Sequence, residues 1–271
     1  MKNKPIVSVI MGSYNPQWDK LRRGVESLRR QTFQDWELVL WDDGSSPEGA
    51  MALEQAASLD PRVRLYHGRE NRGLGFALNR CVQKAGGKYL ARMDDDDVSF
   101  PHRLEIQARF LDTHPQVPWV GSSALLLDKE GPWGRLDMPR RPTKLDFLAH
   151  SPYIHPSVMF RREVLENGGG YSQSQQYFGC EDYELFFRLH AQGYRGYNLS
   201  VPLLGYWEDG CSYQKRTPSR RLREARLRWI GCRQLGLPVP LGAWSVLRPL
   251  AAAMVPWQVL WQVKRRGSAS G

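Results

Sequence analysis

Within its first hundred residues this chain alternates short apolar runs with segments of helical spacing, four times over. Ile6–Met11, Glu37–Trp41, Val63–Tyr66 and Lys88–Met93 read as buried strands. Between them, Trp18–Arg30 places Leu21, Val25 and Leu28 on one helical face. Glu48–Ser58 reads as a second helix, and Asn71-Arg72-Gly73-Leu74-Gly75 opens a third that runs to about Ala85. This alternation predicts an α/β fold, a mostly parallel central sheet flanked by helices. In such sheets ligands bind beyond the carboxyl ends of the strands. Three of the four strand ends carry polar residues suited to a ligand: Ser13-Tyr14-Asn15, Asp42-Asp43 and Asp94-Asp95-Asp96-Asp97. They are expected to converge in one cleft. Beyond Asp97 the pattern loosens. Pro101–Asp112 reads as a helix, Trp119-Val120-Gly121 as a strand, Gly131–Pro142 as a loop, Tyr153–Phe160 as a strand and Glu181–Gln192 as a helix.

With 271 residues and 41% hydrophobic content, the chain can bury one sizeable core, and 24% charged residues argues against global disorder. The net charge of +10 points to anionic partners: nucleotide phosphates, nucleic acid or an acidic membrane surface. The excess is local. From Lys215 to Arg233, eight Lys/Arg stand against one acid, Glu224. Cys81, Cys180, Cys211 and Cys232 form no C-x-x-C pair, which argues for reduced thiols in a cytosolic protein. No signal-like apolar stretch follows the N-terminus, and no window reaches the roughly 20 apolar residues of a spanning helix.

Four adjacent aspartates at a strand end repel one another, and a hard divalent cation is the simplest way to stabilise them. The bland alternative is a solvated acidic turn before the helix near Pro101. Asp42-Asp43-Gly44-Ser45 can accept hydrogen bonds from a base or a ribose, or simply form an Asx turn. The glycines of Asn71–Gly75 allow close approach to a phosphate at a helix N-terminus. They fit neither G-x-G-x-x-G nor a Walker A sequence, and an ordinary turn explains them equally well. Cys180-Glu181-Asp182-Tyr183-Glu184 opens a helix. Its acids serve either as caps or, for Asp182, as a general base taking a proton from an attacking hydroxyl. His155 is a candidate substrate contact or a satisfied core histidine.

Together these stretches resemble the family-2 inverting glycosyltransferases of the GT-A fold, the type that builds bacterial cell-surface polysaccharide. The resemblance runs through Val7–Asn15, Gln31-Thr32-Phe33, Trp41–Ser45, Asn71-Arg72-Gly73, Ala91–Asp97 and Pro101–Leu104. It continues through His155-Pro156-Ser157, Gly169-Gly170-Tyr171 and Glu181-Asp182, spanning about residues 5 to 205 in the family's order. It implies that Tyr14 and Asp43 contact the nucleobase of a nucleotide-diphosphate sugar, UDP favoured, with Gly12 lining the same pocket. Arg72 would lie near the base or phosphates, and Asp94 and Asp95 on the donor side. Asp96 and Asp94 would hold Mn²⁺ or Mg²⁺, leaving Asp95 and Asp97 as turn or helix-start residues within the run itself. Asp182 would be the general base, with Glu181 and His155 on the acceptor side. One departure is that the family often carries a histidine after the last strand, where this chain reads Tyr206–Ser212 without one. An acid there, Glu208 or Asp209, or a different metal shell is then expected.

The organisation expected is a catalytic domain over 1–215 and a basic, amphipathic helical tail over 216–271. Pro218–Leu235 reads as a basic helix. Leu237–Val263 carries Trp244, Trp257 and Trp261 among aliphatics and is interrupted by Arg248, Pro249 and Pro256. Such a segment suits a membrane interface, or it packs on the core. A saccharide or lipid-linked acceptor at the inner face of the cytoplasmic membrane would fit the first. Two other classes compete. A metal-dependent nucleotidyltransferase or phosphatase would use the acidic run but needs no distant second carboxylate. A non-catalytic nucleic-acid binder would use the tail, yet no RNA or DNA motif accompanies it.

Overall fold

A computed structural model describes residues 4–210, 214 and 217–268. In chain order the strands are β1 (Val7–Ser13), β2 (Trp36–Asp42), β3 (Val63–His67), β4 (Tyr89–Arg92), β5 (Val98–Ser99), β6 (Trp119–Asp128), β7 (Gly131–Leu136), β8 (Met159–Arg161) and β9 (Tyr197–Trp207). The helices are α1 (Trp18–Arg29), α2 (Pro47–Ser58), α3 (Leu74–Lys84), α4 (Arg103–Thr113), α5 (Arg162–Asn167), α6 (Glu181–Ala191), α7 (Pro218–Gln234), α8 (Val239–Ala253) and α9 (Trp257–Ser268).

The strands form one sheet in the order β3-β2-β1-β4-β8-β6-β9-β5, with β7 also paired to β6. The first four strands run parallel, as the alternation predicts, and β6 and β9 are parallel to each other. The pleat divides β1 between two cores. Val7, Val9 and Met11 face Leu21, Val25 and Leu28 of α1 and Leu104 and Leu111 of α4. Ile10 faces the other way, with Leu78 of α3 and Leu185 and Phe186 of α6. Local chemistry starts the helices. Pro47 and Pro218 occupy first turns behind the caps Ser46 and Thr217, whose side chains accept from the Gly49 and Arg220 N–H groups.

Later elements depart from the expectations. Gly131–Leu136 is a strand rather than part of a loop, because a hairpin at Gly131 (φ +114°) lays it along β6. Tertiary pairing there overrides a sequence of weak strand propensity. The strand expected over Tyr153–Phe160 is confined to Met159–Arg161, because His155-Pro156-Ser157 forms a 3₁₀ turn. Pro156 has no N–H to give a ladder. The eleven-residue β9 had no counterpart in the sequence reading.

The 215/216 boundary, Lys215, Arg216, Cys211 and Ser212 lie outside the described residues. Cys81, Cys180 and Cys232 are buried free thiols. From α7 onward the tail is packed on the protein. Leu227, Cys232 and Leu237 join the core that contains Phe186 and Phe187. Gly231 approaches Phe187 so closely that a Cβ would lie 2.4 Å from its ring. The far helix α9 crosses to β7, where Trp261 meets Trp133 edge-on at 5.1 Å. Among the described residues no single helix is long and apolar enough to cross a membrane. Only α8 and α9 together have that length and composition, and they bend by 112°.

Candidate active site

The ends of β1 and β2 are fastened to each other before any ligand is considered. Asn15, in the left-handed region at φ 50°, donates its N–H to Ser45 Oγ (2.9 Å) and accepts from the Ser46 N–H at Oδ1 (2.8 Å). Asp43 is buried, and its Oδ2 accepts from the backbone N–H groups of Arg72 (3.0 Å) and Gly73 (2.7 Å). This pins the loop ahead of α3. Its Oδ1 is buried without a hydrogen-bond partner. Burial pushes the Asp43 carboxyl up, against the pull of those two N–H groups. Arg72 lies over the Phe76 ring at 4.0 Å, and Tyr14 is half exposed beside the β1 end. Gly12 faces α3, where a Cβ would fall 2.8 Å from Ala77 Cβ.

The acidic run leaves β4 above two buried arginines. Arg92 forms an ion pair with Asp94, and Arg103 donates from Nη2 to the Arg92 carbonyl at 2.7 Å. Burial pulls Arg103 down to about 9. Asp95 accepts from Ser13 Oγ, tying the run to β1. Asp97 closes the turn expected, its N–H donating to the Asp94 carbonyl at 3.4 Å, but its side chain is not a solvated turn carboxylate. It is fully buried, and its Oδ1 accepts from the Trp207 N–H (2.9 Å), holding β9 against the run. Its Oδ2 is buried and unpartnered. Burial, then the Asp94 and Asp96 charges, push its carboxyl well above the usual carboxylate range.

Among the described residues, Asp94, Asp96 and Asp97 each offer an oxygen, all within 4.8 Å of one another. The donor set is hard oxygen, one member carries an orphaned buried atom, and two arginines only partly offset four carboxylates. A divalent cation of the Mg²⁺ or Mn²⁺ kind fits these residues. The expected pair Asp94 and Asp96 thus gains Asp97 as a third member.

A cavity of ≈550 Å³ brings Asp94, Asp95 and Asp96 together with His155, Glu181 and Asp182. Gly12, Tyr14, Asp43 and Arg72 do not line it; they lie at the neighbouring ends of β1 and β2 and in the loop before α3. Glu181 and Asp182 occupy the first turn of α6. Burial raises both carboxyls. His155 is buried, with Nε2 on the Tyr171 hydroxyl (2.9 Å), and burial holds its imidazole well below its usual value, so it is neutral.

Glu208, one of the two acids expected in place of the histidine, completes the walls together with Lys264 and Arg220, which the sequence reading missed. Glu208, in the loop that lacks the histidine, lines the cavity and is ion-paired to Lys264 of α9 at 2.5 Å. Asp209 lies instead by Trp207 Nε1 (2.9 Å) and Lys20 (3.8 Å). Arg220 of α7 also lines the cavity. The buried guanidinium of Arg92 signals the acidic run, since it pairs with Asp94, but not these wall residues.

The chain matches the description "Glycosyl transferase family 2" over residues 8–169. It is 34% identical to the Bacillus subtilis protein EpsE, named as a glycosyltransferase, over 96% of this chain and 93% of that one. It is 32% identical to the amylovoran biosynthesis glycosyltransferase AmsE of Erwinia amylovora, over 73% of this chain and 74% of that one. Among solved structures it is similar to a mannosyltransferase from Pyrobaculum calidifontis in complex with GDP-mannose and Mn²⁺. That similarity has a TM-score of 0.64 at 19% identity, covering 99% of this chain and 84% of the other.

Proposed function

The chain belongs to glycosyl transferase family 2, and from that membership we propose that it moves a sugar from a UDP-sugar to an acceptor hydroxyl with inversion at the anomeric carbon. It is a glycosyltransferase of the GT-A fold, of the kind that acts in polysaccharide biosynthesis. The observation that carries the mechanism is the meeting of Asp94, Asp95 and Asp96 with Asp182 on one cavity.

Asp94, Asp96 and Asp97 would hold Mn²⁺ or Mg²⁺, which when bound supplies positive charge for a departing diphosphate. Asp182 takes the proton of the acceptor hydroxyl as its oxygen attacks carbon. The raised affinity of this carboxyl for protons makes it a stronger base than an ordinary aspartate. Glu181 and neutral His155 border the acceptor side. Asp43 has a single oxygen left without a hydrogen-bond partner, the buried Oδ1, because Oδ2 already takes two backbone N–H groups. One acceptor atom suits the single N3–H of uracil, whereas guanine offers two adjacent donors. Tyr14 supplies a ring beside it.

The acceptor side includes the tail. The outer face of α8 exposes Trp244, Leu247 and Leu250 at helical spacing, continued by Met254 at its C-cap, and exposed Arg226 and Arg233 share a face of the adjoining α7. This combination supports peripheral docking on an anionic membrane that carries a lipid-linked acceptor. Leu247→Glu with Met254→Glu is expected to abolish sedimentation with phosphatidylglycerol vesicles. Undiminished sedimentation would refute the docking.

The transfer reading is tested with UDP, GDP, TDP and CDP sugars and Mn²⁺, scoring slow donor hydrolysis. UDP-sugar hydrolysis that disappears in Asp96→Ala is expected. A donor-independent phosphatase or nucleotidyl product would overturn the reading.

A further inference from the structure

A second cavity of ≈370 Å³ opens behind Asp182 and shares Gly179, Asp182 and Arg220 with the first. Its lining is basic: Arg220, Arg221, Arg228 and Arg248, against Glu224 and Asp182. Glu224 is engaged by Arg228, whose Nε and Nη2 donate to its Oε1 at 3.0 and 2.7 Å. Arg228 also donates to the Leu148 and Ala149 carbonyls and so forms a fixed inner wall. Arg248 is exposed at the α8 side of the cavity and donates to the Ala149 carbonyl at 3.2 Å. Arg220 is close enough to Glu181 and Asp182 to pull both carboxyls down against their burial.

We infer that this second cavity binds a phosphate or diphosphate carried by the acceptor, behind the hydroxyl that Asp182 deprotonates. The inference rests on the transferase reading of the first cavity. Four guanidinium groups against two carboxylates leave an excess of positive charge where a neutral saccharide would need none. Planar guanidinium forks match phosphate oxygens in pairs. The cavity ends on Arg248, Pro249 and Ala252 of α8, the helix whose outer face is apolar. A chain attached to the phosphate would leave along that face. The same anion recognition serves a lipid diphosphate or a soluble phosphorylated saccharide.

The test is titration calorimetry of the full chain with inorganic pyrophosphate in EDTA. Without divalent ions the aspartate cluster repels the probe, so binding reports the arginine cavity. Saturable binding is expected, weakened about tenfold or more by Arg220→Gln with Arg248→Gln. Arg29→Gln with Arg30→Gln, at the distant group beside Asp60 and Arg62, is expected to leave it unchanged. Equal weakening by the two pairs, or none by the first, overturns the inference. Farnesyl diphosphate binding more tightly than pyrophosphate identifies the lipid source, and equal binding the soluble one. Donor hydrolysis by the unaltered chain is scored separately. Pyrophosphate binding without donor hydrolysis refutes the transferase reading alone; hydrolysis without pyrophosphate binding refutes the arginine site alone.

Discussion

Lys264→Met tests whether the C-terminal helix is part of the catalytic unit. Lys264 reaches from α9 to Glu208, whose side chain is 2% exposed, while Lys264 itself is 26% exposed. The substitution keeps the apolar stem and removes the charge, so Glu208 becomes a buried carboxylate facing the aspartate run. Breaking a buried pair costs about 3–5 kcal/mol, and the partial exposure of Lys264 discounts this to about 2–3 kcal/mol. That is about a 30- to 150-fold change in the equilibrium for docking α9. The loss is expected as earlier cleavage of α9 in limited proteolysis and a lower urea midpoint. Glu208→Gln removes the charge that Lys264 balances, so the double variant is expected to recover at least about 1 kcal/mol relative to the sum of the singles. An effect of Lys264→Met below about 0.5 kcal/mol, or strict additivity, would refute the pairing as the contact that holds α9 over the site.

Asp182→Asn should bind UDP with Mn²⁺ normally and lose about 10²- to 10⁴-fold in transfer rate; normal transfer would dismiss Asp182 as the base. Because burial raises the Asp182 carboxyl and the base works deprotonated, transfer is expected to fall as pH drops through that raised value. The acid limb of the pH–rate profile should therefore lie above the ordinary 3.8. Asp43→Asn keeps one oxygen for the loop N–H groups but turns an NH₂ toward the base, so UDP affinity is expected to drop by about 1.5–3 kcal/mol while stability changes little, read by calorimetry and urea unfolding. Gly196→Ala would place a Cβ 2.0 Å from Nε1 of fully buried Trp119 and is expected to cost about 1–3 kcal/mol in urea unfolding.

The elements of the first half of the sheet, and their parallel direction, were legible in the sequence: the strands are short, apolar and mostly closed by polar residues, and the helices between them repeat at 3.6. Their spatial order, β3-β2-β1-β4, came only from the structure. The polar strand ends with Asp43, Asp94 and Asp96 were legible as candidates for the same reason, whereas Asp182, at a helix start that reads equally as a cap, was singled out only by the family resemblance. What followed Asp97 depended on contacts between distant segments. β7 and β9 gain their ladders from β6, which their own propensities do not announce. Asp97 looked like the end of an acidic turn. Only the Trp207 N–H, 110 residues away, and the arginines beneath turn it inward as a third carboxylate. The tail was read as basic and apolar, and that composition suits a membrane or a core equally. Tertiary structure divides it: Leu227 and Leu237 go to the core, Lys264 to Glu208 across 56 residues, and the Trp244–Met254 face to the outside. Periodicity records which side of an element is apolar; which partner covers that side is decided by the packing of the whole chain.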